Sequence, residues 1–133
     1  MEGGLNKEKL TTYGRMATFS ELSVKLFMNN GSQLCDLLMS GVLARSSEIK
    51  FVSVESGIGW VPFVLEALGY QFKGNRVREE RPDLKLLPSE YFKRNVYACC
   101  WFEQTAPRHL IDAVGVDNIF LDRLSTSHEL IWR

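Results

Sequence analysis

The spacing of apolar positions changes twice along the chain, and each change marks a new kind of element. From Thr18 onward, Phe19, Leu22, Leu26 and Phe27 recur at helical spacing. Leu34, Leu37, Leu38 and Val42 resume that period beyond Asn29-Asn30-Gly31, a triplet that either interrupts the helix or weakens it. Thr18 or Ser20 is a cap candidate and Gly41 a terminator. Met28, Cys35 and Met39 read as packing on this layer. The period then shortens at Phe51-Val52-Ser53-Val54, a β-rich run that predicts a buried strand. It breaks into Glu55-Ser56-Gly57-Ile58-Gly59-Trp60, where glycine admits backbone turns that a Cβ forbids. Val61, Val64, Leu65, Leu68 and Phe72 return to helical spacing, with Pro62 tolerated near the start and Lys73-Gly74-Asn75 at the end.

The stretch from Lys73 to Lys85 alternates charges of both signs, as on a solvated connection. Pro88 to Lys93 predicts a short turn or helix. Asn95 to Glu103 is apolar at successive positions, which fits a parallel strand covered on both sides. Thr105 and Pro107 open a third helix with Leu110, Ile111 and Val114 inward, and Gly115 closes it before the strand Val116 to Leu121. Helices and strands therefore alternate. That order predicts an α/β fold with parallel strands near 50–55, 95–102 and 118–121. Residues 1–17 hold few apolar residues and are expected to be loose, 18–120 form the structured unit, and 121–133 form an irregular tail.

Composition narrows the classes. A chain of 133 residues, 45% hydrophobic and 24% charged, has room for one globular domain. Sixteen basic residues balance sixteen acidic ones, so neither nucleic acid nor an anionic membrane is an expected partner. No apolar run has the length of a membrane span, and Met1-Glu2-Gly3-Gly4 lacks the pattern of a signal peptide. Cys35, Cys99 and Cys100 have no metal-ligand spacing and cannot all pair, which fits a reduced, cytoplasmic protein.

Two carboxylates fall where parallel strands end, and function gathers at such ends. Spacing alone makes Glu55 a solvated strand-end acid. Glu103 could orient a substrate or a neighbouring loop, or bridge to Arg94 or Arg108. His109 falls on a surface face of the third helix and His128 in the tail, at a separation that fits no ligand motif.

Several words of the sequence carry a family likeness. They are Ser40-Gly41-Val42-Leu43, the run Ile49 through Phe63, Pro88 through Val96, and Gly115-Val116-Asp117-Asn118-Ile119. Together they resemble the C-terminal half of the amidohydrolase-2 family, the metal-dependent (β/α)8-barrel enzymes related to aminocarboxymuconate-semialdehyde decarboxylase. The resemblance implies a partial TIM barrel whose three strands are the sixth, seventh and eighth. A full barrel takes roughly 250 residues. It also implies metal-assisted hydrolysis or decarboxylation of a small-molecule substrate, with a divalent metal such as Zn²⁺ in the complete enzyme.

The family's ligands are a His-x-His pair on the first strand, a His on the fifth and an Asp after the eighth. The described words supply none of them, so no metal is expected in this fragment and it is expected to be inactive alone. Glu55 stands where decarboxylase members carry a catalytic His, and a carboxylate does not copy a protonated imidazole at neutral pH. Glu55 and Glu103 are the candidate catalytic acids, and Ser56, Gly57, Gly59 and Trp60 the candidate substrate-binding residues.

The tail departs from the family. Asp-Phe-Pro-His is expected soon after Asn118-Ile119, yet the chain reads Leu121-Asp122-Arg123-Leu124. One permitted back-translation of residues 122–133, read one nucleotide later, gives Thr-Asp-Phe-Pro-His. The expectation is a frame slip near Phe120 that removed the metal-binding Asp.

Two other classes compete. An unclosed barrel leaves apolar edges suited to self-association, which describes a non-catalytic interaction module. A flavodoxin-like nucleotide-binding domain is the third, although Glu55 puts an acid where phosphate would sit and no lysine follows.

Overall fold

A computed structural model describes residues 7–121. Residues 1–6, Asp122, His128 and the tail expected from a shifted frame lie outside the described residues. The elements run α1 (Lys7–Thr12), α2 (Arg15–Met39), α3 (Val42–Arg45), β1 (Phe51–Ser53), α4 (Val61–Gly74), α5 (Val77–Glu80), α6 (Pro88–Asn95), β2 (Val96–Cys100), α7 (Ala106–His109), α8 (Ile111–Val114), a 3-10 turn (Val116–Asn118) and β3 (Ile119–Leu121).

The three strands form one parallel sheet in the order β1-β2-β3. Phe51 pairs with Val96 and Ser53 with Ala98, while Ala98 pairs with Ile119 on its other side. The fold is α/β, as the alternation of periods predicts. Side chains alternate across a sheet, and here the two faces differ. Phe51, Val96, Ala98, Cys100 and Ile119 join a core built with Leu34 and Leu38 of α2, Leu65 and Phe72 of α4, Phe92 of α6 and Val114 of α8. The opposite face carries Val52, Tyr97 and Phe120. Val52 is 50% exposed and Phe120 49% exposed. On β2 itself Cys99 is buried and Tyr97 half-buried on that same face, so the central strand is covered on both sides as expected, and the open positions belong to β1 and β3.

Three sequence expectations change, and one alternative left open by the sequence is decided. Helical structure begins before Thr18: Lys7–Thr12 is a helix and α2 starts at Arg15, so among the described residues the segment expected to be loose is largely helical. α2 also runs through Asn29-Asn30-Gly31 without a break, and Gly31 is buried beside Trp60. Leu34 and Leu38 pack as expected, but Leu26 and Met28 are each 68% exposed. The third helix divides into α7 and α8 at Leu110, whose φ of −116° leaves the helical range.

Gly41 ends α2 as expected, with φ 82° in the left-handed region. Two buried asparagines tie the strands to the helices. Asn95 Nδ2 donates to the carbonyls of Ser47 and Ile49 ahead of β1. Asn118 Nδ2 donates to those of Lys93 and Val96, at the junction of α6 and β2. Among the described residues no helix is long and apolar enough to cross a membrane.

Candidate functional site

β1 ends at Ser53, and the chain reaches α4 through one tight turn. Glu55 takes φ 57° and Gly57 φ 73°, two left-handed residues within three positions. For glycine this is inexpensive. For glutamate the left-handed region costs about 1–2 kcal/mol, so the surroundings must hold it there.

Both flanks of the turn are anchored. Ser56 is buried, and its hydroxyl donates to the Val54 carbonyl at 2.9 Å. Asn30 of α2 donates its amide to Ser56 Oγ. Trp60 Nε1 donates back to the Ser56 carbonyl at 3.0 Å. The downstream flank is held from the next strand. Glu103, just past β2, accepts the Ile58 N–H on Oε2 at 2.7 Å and the Gly59 N–H on Oε1 at 2.6 Å. Hydrogen bonds from neutral donors to a carboxylate are among the stronger ones in proteins. The start of α4 also favours negative charge nearby.

The glycines are explained by this carboxylate. A Cβ on Gly57 would stand 2.6 Å from Glu103 Cδ, and one on Gly59 would stand 2.9 Å from Oε1. At either distance the carboxylate would have to shift, so Gly57 and Gly59 give room to a side chain of the same molecule. Two of the turn's amides, those of Ile58 and Gly59, which an incoming phosphate would need, are already taken. That weakens the nucleotide-binding alternative. Cys100 lies before this corner, and burial first, then the Glu103 carboxylate, push its thiol above its ordinary pKa.

The structure thus separates the two acids that the sequence groups together. Glu103 is turned onto backbone amides, and the bridge to Arg94 or Arg108 does not form. Arg94 instead bonds Asn95 Oδ1 and the Leu43 carbonyl. Glu55 is exposed and has no hydrogen bond or ion pair among the described residues. Ser56, Gly57, Gly59 and Trp60, expected against a substrate, are engaged inside the turn. His109 is exposed on α7, as expected.

Two features escape sequence reasoning. Asn30 reads as a weak point in a helix, yet its amide reaches the end of β1. Its only signal is a polar residue on a helix face next to buried Gly31. Phe27, Trp101 and Phe102 form an aromatic group, with Phe27 5.7 Å from Trp101 and 5.4 Å from Phe102 between ring centres. Beside it, a shallow cavity of about 450 Å³ is lined by Gly59, Phe102, Glu103, Thr105 and Leu110. A second one, about 370 Å³, follows β1 and is lined by Asn30, Gln33, Leu34, Leu37 and Val52. Among the described residues no group of three or more His, Cys, Asp or Glu side chains could hold a metal ion. Neither a protein-family model nor a curated protein matches the chain.

Proposed function

We propose that residues 18–120 are the C-terminal half of a (β/α)8-barrel enzyme of the amidohydrolase-2 type, with Glu55 as its acid at the strand ends. The observation that carries this reading is the backbone of Glu55. A non-glycine residue at φ 57°, exposed beyond the C-terminal end of a parallel strand, is the kind of strained position that clusters at functional sites. The uncovered sheet face supports it, since in a closed barrel that face becomes the interior.

The reaction class is hydrolysis or C–C cleavage of a small-molecule substrate in the cytoplasm, where thiols such as Cys35 and Cys100 persist. Glu55 would accept or orient a proton on a substrate held over the turn. The divalent metal, Zn²⁺ by resemblance, does not fit the described residues. Glu103 is committed to Ile58 and Gly59, and no three ligands converge.

The test supplies the other half of a family barrel as a second chain and restores Thr-Asp-Phe-Pro-His after β3. Glu55→Gln should then lower turnover while leaving metal content and substrate affinity near those of the parent. Loss of all three together would make Glu55 a structural acid and end this reading.

The uncovered face also favours a second reading, a non-catalytic module that associates through it. Val52, Val54 and Phe120 expose about half of their surface there. Sedimentation of the chain against a Val52→Lys/Phe120→Lys variant separates the two. A dimer lost in the variant supports the module, and a monomer in both removes it.

A further inference from the structure

We infer that Glu103 is a positioning residue, a carboxylate latch from the end of β2 that holds the β1 turn and so fixes where Glu55 points. The inference rests on the reading above for the importance of Glu55, but the latch itself is a property of this chain alone.

The turn from Val54 to Val61 has two ends and one free member. Its upstream end is fixed by Ser56 on the Val54 carbonyl and by Asn30 on Ser56. Its downstream end is fixed by Glu103 on two successive amides, Ile58 and Gly59. Glu55 lies inside the upstream anchor, between Val54 and Ser56 and three residues ahead of the Ile58 amide, with a left-handed φ that its own side chain does nothing to secure among the described residues. Freed of either anchor, a glutamate returns to the extended or right-handed regions that L-residues prefer. The two glycines admit the latch, and a carboxylate suits it better than an amide would. A carboxylate has two acceptor oxygens for two N–H groups, whereas Gln offers one acceptor and an NH2 that would face a donor. Glu103 therefore transmits the position of one strand end to the other. A residue so placed acts through Glu55 and needs no contact with substrate.

The experiment uses the 133-residue chain and reads amide hydrogen exchange at Ile58 and Gly59, together with the three-bond HN–Hα coupling of Glu55. In Glu103→Ala both amides should exchange at least roughly tenfold faster, and the Glu55 coupling should move toward that of extended backbone. Protection in β2 and α6 should persist. Glu103→Gln should retain protection at one amide only. Gly59→Ala is the second variant, because it keeps Glu103 while its Cβ, 2.9 Å from Oε1, displaces the carboxylate. It should reproduce the Glu55 shift, and adding Glu103→Ala to it should change little more.

An unchanged Glu55 coupling in either folded variant overturns the latch. So does full protection of both amides in Glu103→Gln. If Glu103→Ala loses protection everywhere, Gly59→Ala decides by the same two readouts. A latch seen here alongside normal turnover by Glu55→Gln in the completed barrel would leave the latch standing and remove the function of Glu55. The converse pair of results would do the opposite.

Discussion

Trp60 packs against Gly31. A Cβ on that glycine would stand 3.4 Å from Trp60 Cε3 and 3.6 Å from Val64 Cγ2, which are ordinary contacts. Alanine therefore fits, and it is the better residue inside a helix by about 0.8–1.0 kcal/mol. Gly31→Ala should raise stability by up to about 1 kcal/mol, seen as a higher urea midpoint at unchanged slope. Gly31→Leu would drive Trp60 off α2 and should cost about 1–3 kcal/mol. If Ala destabilises as much as Leu, the packing described for Trp60 is wrong.

The left-handed Glu55 makes a prediction of opposite sign for activity and stability. Glycine adopts φ 57° freely, relieving about 1–2 kcal/mol of strain, but it adds about 0.5–1 kcal/mol of unfolded-chain entropy. Glu55→Gly should thus be neutral to about 1 kcal/mol more stable in thermal unfolding. In the completed barrel it should lose turnover. A clear drop in melting temperature would show that the side chain, and not the backbone, holds the turn.

Asn95 and Asn118 are buried donors, each facing two carbonyl oxygens at 2.6–2.9 Å. An aspartate of the same shape would turn a donor into an ionised acceptor against those oxygens. Asn95→Asp and Asn118→Asp should each cost about 2–4 kcal/mol in chemical denaturation. An aspartate tolerated at either site within 0.5 kcal/mol, roughly the scatter of surface changes, would contradict the bonding described.

Titration of the thiols sets an alkaline limit. Burial first and Glu103 second raise the Cys100 pKa, and burial first and Asp36 second raise that of Cys35. The unfolded chain then gives up these protons at lower pH than the folded one. Stability is complete below the ordinary thiol pKa of about 8.5 and declines as pH rises from there through the folded values. Cys100→Ala should flatten part of that decline. Native-state alkylation of Cys100 should also be slow beside that of an unfolded control.

The fold was legible where burial wrote a period. The runs around Phe51 and Val96 gave both longer-range pairings their strands, because an interior strand needs consecutive apolar side chains. Helix starts and breaks were less legible. The early start of α2 and the division at Leu110 depend on backbone geometry, and neither alters the apolar spacing. The site was half legible. Gly57 and Gly59 marked a place where something approaches the backbone, but the sequence could not say that the visitor was Glu103. That residue lies in a different βα unit, and only the sheet register brings it alongside. Asn30 failed for the same reason.

Strand order follows chain order, and each strand is added beside the one made just before it. Synthesis from the N-terminus therefore lays down α2 and β1 first, then presents β2 to a single open edge, and then β3 to the next. No later strand has to be inserted between two that already pair. The sheet can grow vectorially, one crossover at a time, and the Glu103 contact can close as soon as β2 has left the ribosome. In a growing chain, the turn that carries Glu55 can acquire its shape before β3 is made.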